Sequence, residues 1–321
     1  MGAGNFNSIP DEFEDDPLQD IGPDRNLMGL PDSSGAYLGM DDVLIATSIS
    51  DTALPDIKID IDFLGTELGI PLALAITPDL STGRGIADMQ RVGGMGIMHR
   101  MYSSDDAYEA DLDLLRATLK PVWISVDISD IPRSMRLINK VSEKAEVAGV
   151  VIDTAHGHHK SVRDLVERIK GSVTEDISRL RVVAGNIFDY DAALYLAESG
   201  VDGLKVGCGH GKTFDYAEDL GIGLPHISAL LECASLRTDF PELQIISDQP
   251  IRNNADIAKC IAAGADIVMI GSDFIGNRTL DQVVNRVSDT LRTTMYFAGI
   301  ESIRDFRDGA RFLVVSKPKS A

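Results

Sequence analysis

The 321-residue sequence is poor in cysteine, in tryptophan and in basic residues, and it lacks long apolar runs. Its three cysteines are an odd number and too sparse for the disulfide framework of a secreted domain, which favours a reducing, cytoplasmic location. No apolar run reaches the roughly 18 residues that a membrane span requires. The N-terminus lacks the basic start and apolar run of a signal peptide. We therefore expect neither a membrane span nor a leader.

Basic residues are outnumbered, with 30 Lys and Arg against 50 Asp and Glu and a net charge of -20. Sequence-independent binding to nucleic acid or to an anionic membrane needs clustered Lys and Arg, so we expect neither partner. A small phosphorylated ligand is still allowed, because it needs only a few local donors. The composition, 44% hydrophobic and 25% charged, is that of a folded globular chain.

The first 40 residues differ from the rest. They contain eight acidic residues, one basic residue (Arg25) and four prolines, and no period of 2 or 3.6 persists. This composition predicts an acidic arm over 1–40 that is extended or partly disordered, either a solvated tail or an arm docked on a neighbouring subunit. We assign 41–321 to the folded domain.

From residue 71 onward, short apolar runs alternate with amphipathic stretches. Near-continuous β-branched runs suit strands buried on both faces of a parallel sheet. The predicted strands are Pro71–Ile76, Gly94–Met98, Val122–Asp127, Val150–Asp153, Arg181–Ala184, Gly203–Val206, Gln244–Ser247 and Ile267–Ile270. The predicted helices are Gly85–Val92, Ser104–Thr118, Pro132–Ala148, His159–Gly171, Asp189–Ser199, Ile227–Thr238, Asn253–Ala263 and Leu280–Phe297.

Eight strands that are each followed by a helix predict an α/β fold, the (β/α)8 TIM barrel. A doubly wound open sheet would want a Gly-rich fingerprint after its first strand, and Thr77-Pro78-Asp79-Leu80 is not one. An internal repeat supports the barrel, since 198–207 and 262–271 both read as helix end, Gly, Asp, apolar strand, Gly. Gly200 and Gly264 are expected to supply left-handed turns at the helix ends.

Polar residues collect where the predicted strands end, which is where barrels of this class place their ligands. Glycines at 207, 209 and 211 follow the sixth strand, and Gly271-Ser272 follows the eighth. Alternating glycines can form an anion nest, a helix start favours an anion, and Asp248 can accept hydrogen bonds from ribose hydroxyls. Together these features favour a phosphorylated or nucleotide ligand.

The histidines do not predict a metal site. His156, His158 and His159 share one strand-to-helix loop, but their spacing fixes no coordination geometry and no fourth acidic or thiolate ligand is evident. We expect turn and capping roles for them and no bound metal. His99 and His226 are expected to be structural.

Among the cysteines, Cys208 lies between two glycines and is a candidate reactive thiol. Cys233 and Cys260 fall on apolar helix faces and are expected in the core. A Ser-His-Asp triad stays open, although nothing matches a nucleophile elbow.

Several motifs resemble those of the IMP dehydrogenase and GMP reductase family over roughly 41–315. The motifs are Asp42-Val43-Leu44, Gly93-Gly94-Met95-Gly96-Ile97-Met98-His99, Asp153-Thr154-Ala155-His156-Gly157-His158, Ala184-Gly185-Asn186, Lys205-Val206-Gly207, and Ala263-Gly264-Ala265-Asp266 to Gly271-Ser272. The resemblance implies the same barrel fold. It also implies a homo-oligomer, commonly a tetramer.

The departures from the family pattern concern its chemistry. Phe214 stands where the family has its catalytic cysteine, and a phenyl ring cannot add to C2 of a purine as a thiolate does. Lys212 replaces the serine of the phosphate loop, and Pro250 has no N–H to give a phosphate. The flap expected after Gly271-Ser272 is missing, since Arg278-Thr279 leads directly into the last helix. The inserted regulatory domains are absent as well.

The resemblance also implies roles for particular residues. Asp153 would lie near the nicotinamide ribose of NAD or NADP, and Asn186, Gly207 and Gly209 would line the nicotinamide region. Substrate ribose would be bound by Asp248, and its phosphate by the following set: Lys212, Gly271 and Ser272.

We therefore expect a divergent barrel that binds a purine nucleotide or a similar phosphorylated ligand, with its Cys-dependent oxidoreduction lost. Two alternatives stay open. One is an active purine-nucleotide oxidoreductase that uses Cys208, and the other is a non-catalytic interaction partner of an active family member.

Overall fold

The computed structural model describes residues 37–207 and 219–315. The strands in these ranges are β1 (Val43–Ile45), β2 (Ile61–Phe63), β3 (Thr66–Leu68), β4 (Leu72–Leu74), β5 (Ile97–Met98), β6 (Val122–Val126), β7 (Val147–Asp153), β8 (Arg181–Ile187), β9 (Gly203–Val206), β10 (Gln244–Ser247), β11 (Ile267–Ile270) and β12 (Phe312–Val314). The α-helices are α1 (Gly83–Arg91), α2 (Asp105–Arg116), α3 (Ile131–Ser142), α4 (Lys160–Lys170), α5 (Glu175–Ser178), α6 (Tyr190–Glu198), α7 (His226–Ser235), α8 (Asn254–Ala262), α9 (Ser272–Ile275), α10 (Leu280–Ala298) and α11 (Ile303–Gly309).

Strands β4 to β11 form one eight-stranded sheet in which each strand except β4 lies beside the next along the chain. All of its pairings are parallel. The sheet closes on itself where Ala73 of β4 is bridged to Met95, just before β5. There Leu74 N–H donates to Met95 O (3.0 Å) and Met95 N–H donates to Leu72 O (2.9 Å). The predicted (β/α)8 barrel is confirmed.

The barrel strands are buried because both of their faces pack against apolar side chains. Every residue of β6, β9 and β11 is buried, as expected for strands of a parallel sheet that is covered on both faces. The predicted bounds of β9, β10 and β11 match the structure. Strand β7 starts three residues before its predicted start, because Val147 already pairs with Val122 of β6.

The second barrel strand is shorter than predicted. Only Ile97–Met98 forms a ladder with β6, whereas the sequence predicts a strand over Gly94–Met98. A Cβ on Gly94 would lie 2.2 Å from Met89 Cε, and one on Gly96 would lie 2.6 Å from Ile86 Cγ2. These glycines let α1 pack directly against the backbone of 94–96. This segment is therefore closely packed against α1 but does not form a regular ladder of hydrogen bonds with β6.

Helix α2 begins directly after a capping serine. Ser104 Oγ accepts a hydrogen bond from Ala107 N–H at the start of α2, as expected for a serine N-cap. Gly200 and Gly264 have φ of 90° and 114° and end α6 and α8 in the left-handed conformation, as the internal repeat predicts. Helix α3 ends at Ser142, six residues before its predicted end, because the chain turns there to enter β7.

The N-terminal end of the barrel is closed by a hairpin that the sequence analysis missed. Strands β2 and β3 pair antiparallel, and Phe63 is fully buried with its ring 6.0 Å from that of Trp123. Trp123 Nε1 donates to Thr66 Oγ1 (3.0 Å), and Leu64 N–H donates to the side chain of Gln244 at the start of β10. The open end of the barrel is therefore the C-terminal end of its strands.

The terminal segments pair with each other on the outside of the barrel. Strand β1 pairs antiparallel with β12, and Leu38 and Met40 are buried against the core. Residues 1–36 of the predicted arm lie outside the described residues, so the division at residue 40 stays a prediction. None of the helices in the described ranges is long and apolar enough to cross a membrane.

Candidate functional site

Four polar side chains predicted or found at strand ends meet at the open end of the barrel. Asp153 ends β7, Asn186 lies near the end of β8, Lys205 is in β9 and Asp248 follows β10. They come together because the carboxyl ends of parallel strands lie at one end of a barrel. The sequence-predicted residues Asp153, Asn186 and Asp248 thus share one hydrogen-bonded cluster.

Lys205 is the centre of this cluster. Its side chain is 4% exposed, and its Nζ donates to Asn186 Oδ1 (2.7 Å), to Asp153 Oδ1 (3.1 Å) and to Asp248 Oδ2. Burial disfavours the charged ammonium, but the negative charges of Asp248 and Asp153 outweigh it and raise the pKa of Lys205 above its ordinary value. Lys205 is therefore a charged hub and not a neutral amine nucleophile.

Asp248 is held as an ionised carboxylate. Asn186 Nδ2 donates to Asp248 Oδ2 (2.9 Å) and to Gly207 O (3.1 Å). Burial opposes ionisation, but the charge of Lys205 and the hydrogen bonds from Asn186 and Lys205 outweigh it, so the pKa of Asp248 lies below its usual range. With its side chain 16% exposed, Asp248 is a fixed hydrogen-bond acceptor that a ligand can reach.

Gly207 has a structural reason to be glycine. Its φ is 134°, and a Cβ at this position would lie 2.0 Å from the carbonyl oxygen of Asp248. The missing side chain thus admits the backbone of the neighbouring strand. Gly271 differs, since among the described residues only its own chain neighbours come within 4 Å of its Cβ position. Ser272 begins the short α9 directly after it.

Arg100 and Asp127 extend the cluster along the rim. Arg100 follows β5, and its guanidinium donates through Nε to Asp127 Oδ2 (3.2 Å) and through Nη1 to Asp153 Oδ2. Asp127 Oδ1 accepts from the N–H and the Oγ of Ser129 (2.8 and 2.6 Å). Burial opposes ionisation of Asp127, but these hydrogen bonds and the charge of Arg100 lower its pKa.

The sequence analysis did not select Lys205 or Arg100 as site residues. A signal was available for Lys205, which is the one charged residue in a four-residue strand predicted to be buried on both faces. A charge in that position needs a carboxylate partner. For Arg100 the sequence carries no comparable signal.

Four predicted site residues lie in 208–218, outside the described residues: Cys208, Gly209, Lys212 and Phe214. Their roles stay predictions. The other two cysteines are buried as expected. Burial raises the pKa of the Cys260 thiol to about 12 and that of Cys233 well above its ordinary value, so neither is a thiolate near neutral pH.

Of the three neighbouring histidines, His159 has the capping role that the sequence predicts. His159 Nδ1 accepts from Ser161 N–H (3.1 Å) at the start of α4, and His156 and His158 are exposed beside it. His99 is stacked on Tyr102 with ring centroids 4.0 Å apart. His226 contacts Ser247 Oγ through Nε2 (2.8 Å). In the described part of the chain, no group of three His, Cys, Asp or Glu side chains is arranged to hold a metal ion.

Comparisons with known proteins identify a family and relatives of this chain. A family model described as the IMP dehydrogenase / GMP reductase domain matches residues 37–279. Inosine-5'-monophosphate dehydrogenase of Chlorobaculum parvum is 42% identical over 135 residues, which cover 41% of this chain and 26% of the relative. That of Cryptosporidium parvum is 31% identical over 201 residues, 62% of this chain and 47% of the relative.

A third relative, the inosine-5'-monophosphate dehydrogenase of Borreliella burgdorferi, is 39% identical over 155 residues, 48% of this chain and 36% of the relative. The chain therefore spans less than half the length of each of these three relatives. Because the family model covers most of the barrel, with the strand ends that carry the polar cluster, the chain belongs to the IMP dehydrogenase / GMP reductase family.

Proposed function

We propose that the chain binds a purine nucleoside monophosphate, or a similar phosphorylated ligand, at the open end of its barrel. The observation that carries this proposal is the ionised carboxylate of Asp248, held between Lys205 and Asn186 and reachable by a ligand. A fixed, preoriented carboxylate is suited to accept hydrogen bonds from the vicinal hydroxyls of a ribose.

The phosphate of this ligand would lie on the neighbouring strand. Ser247 of β10 is paired with Val268 of β11, so Asp248 and Gly271 follow the ends of adjacent strands. The described residues leave the Cβ position of Gly271 uncovered, which supports a close approach of phosphate to the backbone there. Ser272 and Lys212 would supply a hydroxyl and a positive charge.

The ordinary thiol-dependent oxidoreduction of the family is, in our proposal, lost. Phe214 stands where the family pattern has its cysteine, and the two cysteines in the described ranges are buried with raised pKa values. The flap is missing too, because α9 ends at Ile275 and α10 begins at Leu280. A substrate would thus meet neither the nucleophile nor the lid of this chemistry.

The dinucleotide region and the assembly are also proposals. NAD or NADP would contact Asp153, Asn186, Gly207 and Gly209, in the part of the rim next to the mononucleotide. As in the family pattern, the chain would form a homo-oligomer, commonly a tetramer.

The test is ligand-induced thermal stabilisation by IMP, GMP and XMP, with inorganic phosphate as a further ligand. A ligand at 100 times its dissociation constant adds about 2.7 kcal/mol, or a rise of about 4 °C in Tm for a chain of this size. We expect this rise in the wild type and its loss in Asp248→Asn, which keeps the side chain's shape. The control Asp239→Asn changes an exposed residue before the N-terminal end of β10 and should keep the rise.

A lack of any rise with all three nucleotides would contradict the proposed ligand. Turnover is followed by absorbance in the nicotinamide band, with IMP and NAD or with GMP and NADPH. Turnover that Cys208→Ala abolishes would instead support the alternative of an active oxidoreductase with Cys208 as its nucleophile.

A further inference from the structure

A continuous chain of charges runs across the rim from β6 to β10. Asp127 is paired with Arg100, Arg100 with Asp153, Asp153 with Lys205, and Lys205 with Asp248. Successive members come from different strands or from the turns that follow them. The rim is therefore held together by ion pairs between neighbours in the barrel and not by contacts along one segment.

Asp153 is the carboxylate of this chain that has a cation on each of its two oxygens. Its Oδ1 accepts from Lys205, and its Oδ2 accepts from Arg100. Its side chain is only 15% exposed. Because so little of Asp153 is exposed, a ribose that approached it would compete with these two cations for the remaining surface of the carboxylate.

The two cations are not equivalent. Lys205 is 4% exposed and is also bound to Asn186 and Asp248, so its displacement would leave a buried charge with fewer partners. Arg100 is 25% exposed and comes from the turn after β5, so it is the cation that can swing toward solvent.

Arg100 is nevertheless held in place. Its Nε is bound to Asp127, and Asp127 is itself oriented by two hydrogen bonds from Ser129. This second carboxylate fixes the guanidinium before it meets Asp153, which lowers the entropy lost in forming the pair. The arrangement is thus a built contact and not a chance surface ion pair.

We propose that Arg100 is a positioning residue that occupies Asp153 and so selects mononucleotides over nicotinamide dinucleotides. This inference rests on the proposed function, because it concerns the rim beside the mononucleotide. A dinucleotide binds only after Arg100 releases Asp153. A mononucleotide at Asp248 and Gly271 binds without this release.

Long-range charge effects alone predict the opposite change in NAD binding, so the two explanations can be told apart. NAD is an anion, so removing a cation from the rim should weaken its binding if Arg100 acts only through long-range attraction. If Arg100 occupies Asp153, the same change should tighten NAD binding because a competitor is removed.

The experiment measures the dissociation constants of NAD and of IMP for the purified full chain by calorimetry. In Arg100→Gln and in Arg100→Met, which keeps the apolar stem, NAD should bind about tenfold more tightly than in the wild type, a change of about 1.4 kcal/mol. Arg100→Lys should stay within about threefold of the wild type, because it retains a cation beside Asp153. IMP affinity should be unchanged in all three variants.

The matched control is Arg133→Gln, which removes an exposed positive charge at the start of α3 that has no side-chain contact with the cluster. It should leave NAD binding the same or slightly weaker. Equal or weaker NAD binding in both Arg100→Gln and Arg100→Met would overturn the proposal, and so would tighter binding in Arg133→Gln. A failure of IMP to bind the wild type would contradict the proposed function, whereas the NAD comparison would still show whether Arg100 competes for Asp153.

Discussion

His226 is an ionisable side chain that the fold keeps away from water. It is 6% exposed and contacts Ser247, and burial lowers its pKa from 6.5 to about 4 although the charge of Asp248 acts the other way. A buried neutral imidazole makes the stability of the barrel depend on pH, because the unfolded chain takes up a proton that the folded chain does not.

Above pH 6.5 the imidazole is neutral in the folded and the unfolded state, so it does not lower the free energy of unfolding there. Between pH 6.5 and about 4 the unfolded state gains its proton first, so the free energy of unfolding falls by about 3 kcal/mol from this group. We expect His226→Gln to lose that part of the pH dependence. The measurement is urea unfolding at several pH values between 4 and 8. The exposed His158→Gln should retain the wild-type slope, and an unchanged slope in His226→Gln would contradict the assignment.

At the scale of elements, the internal repeat Gly-x-Asp has a shared structural role. Asp202 Oδ2 accepts from Val182 N–H of β8 (2.7 Å), and Asp266 Oδ2 accepts from Ile245 N–H of β10 (2.6 Å). In both copies the aspartate satisfies a backbone donor near the start of the preceding barrel strand. The repeat is visible in the sequence, but the hydrogen bonds that explain its aspartates form between neighbouring strands.

The longest helix, α10, starts with a reciprocal capping box. Thr279 Oγ1 accepts from Gln282 N–H (3.3 Å), and Gln282 Oε1 accepts from Thr279 N–H (3.0 Å). Thr279→Ala should lower the free energy of unfolding by about 1 kcal/mol, as measured by chemical denaturation. Thr293→Ala, at an exposed position inside the same helix, should be neutral or slightly stabilising. Equal effects at both positions would argue against the capping role.

At the scale of the whole molecule, one buried carboxylate joins the C-terminal segment to the barrel. Asp266 is fully buried and is paired with Arg237, which follows α7 (2.6 Å), and with Arg307 of α11. Its two oxygens thus connect three parts of the chain. Removing the charge would leave two largely buried guanidinium groups with a weaker partner.

Asp266→Asn should therefore destabilise the protein by about 3–5 kcal/mol, seen as a lower midpoint in guanidinium unfolding. Asp308, the other partner of Arg307, is half exposed, so Asp308→Asn should cost less than about 1 kcal/mol. A small loss in Asp266→Asn would mean that the two arginines find other acceptors.

Local patterns in the sequence identify the barrel and the end of it that carries the polar residues. Runs such as Ile267–Ile270 and turns such as Gly264 are local signals, because burial on two faces and a left-handed turn leave their mark in neighbouring residues. For the same reason the motif residues Asp153, Asn186 and Asp248 could be placed at strand ends before any coordinates were known.

The pairing of the charges, in contrast, follows from how the barrel folds. Arg100 and Lys205 lie 53 and 52 residues from Asp153, and many other acidic residues stand closer to each of them along the chain. The hairpin that closes the barrel was missed for a similar reason, since Phe63 is buried by Trp123, 60 residues later. The charge or apolarity of a side chain indicates that it needs a partner. Which residue becomes that partner depends on how the barrel closes.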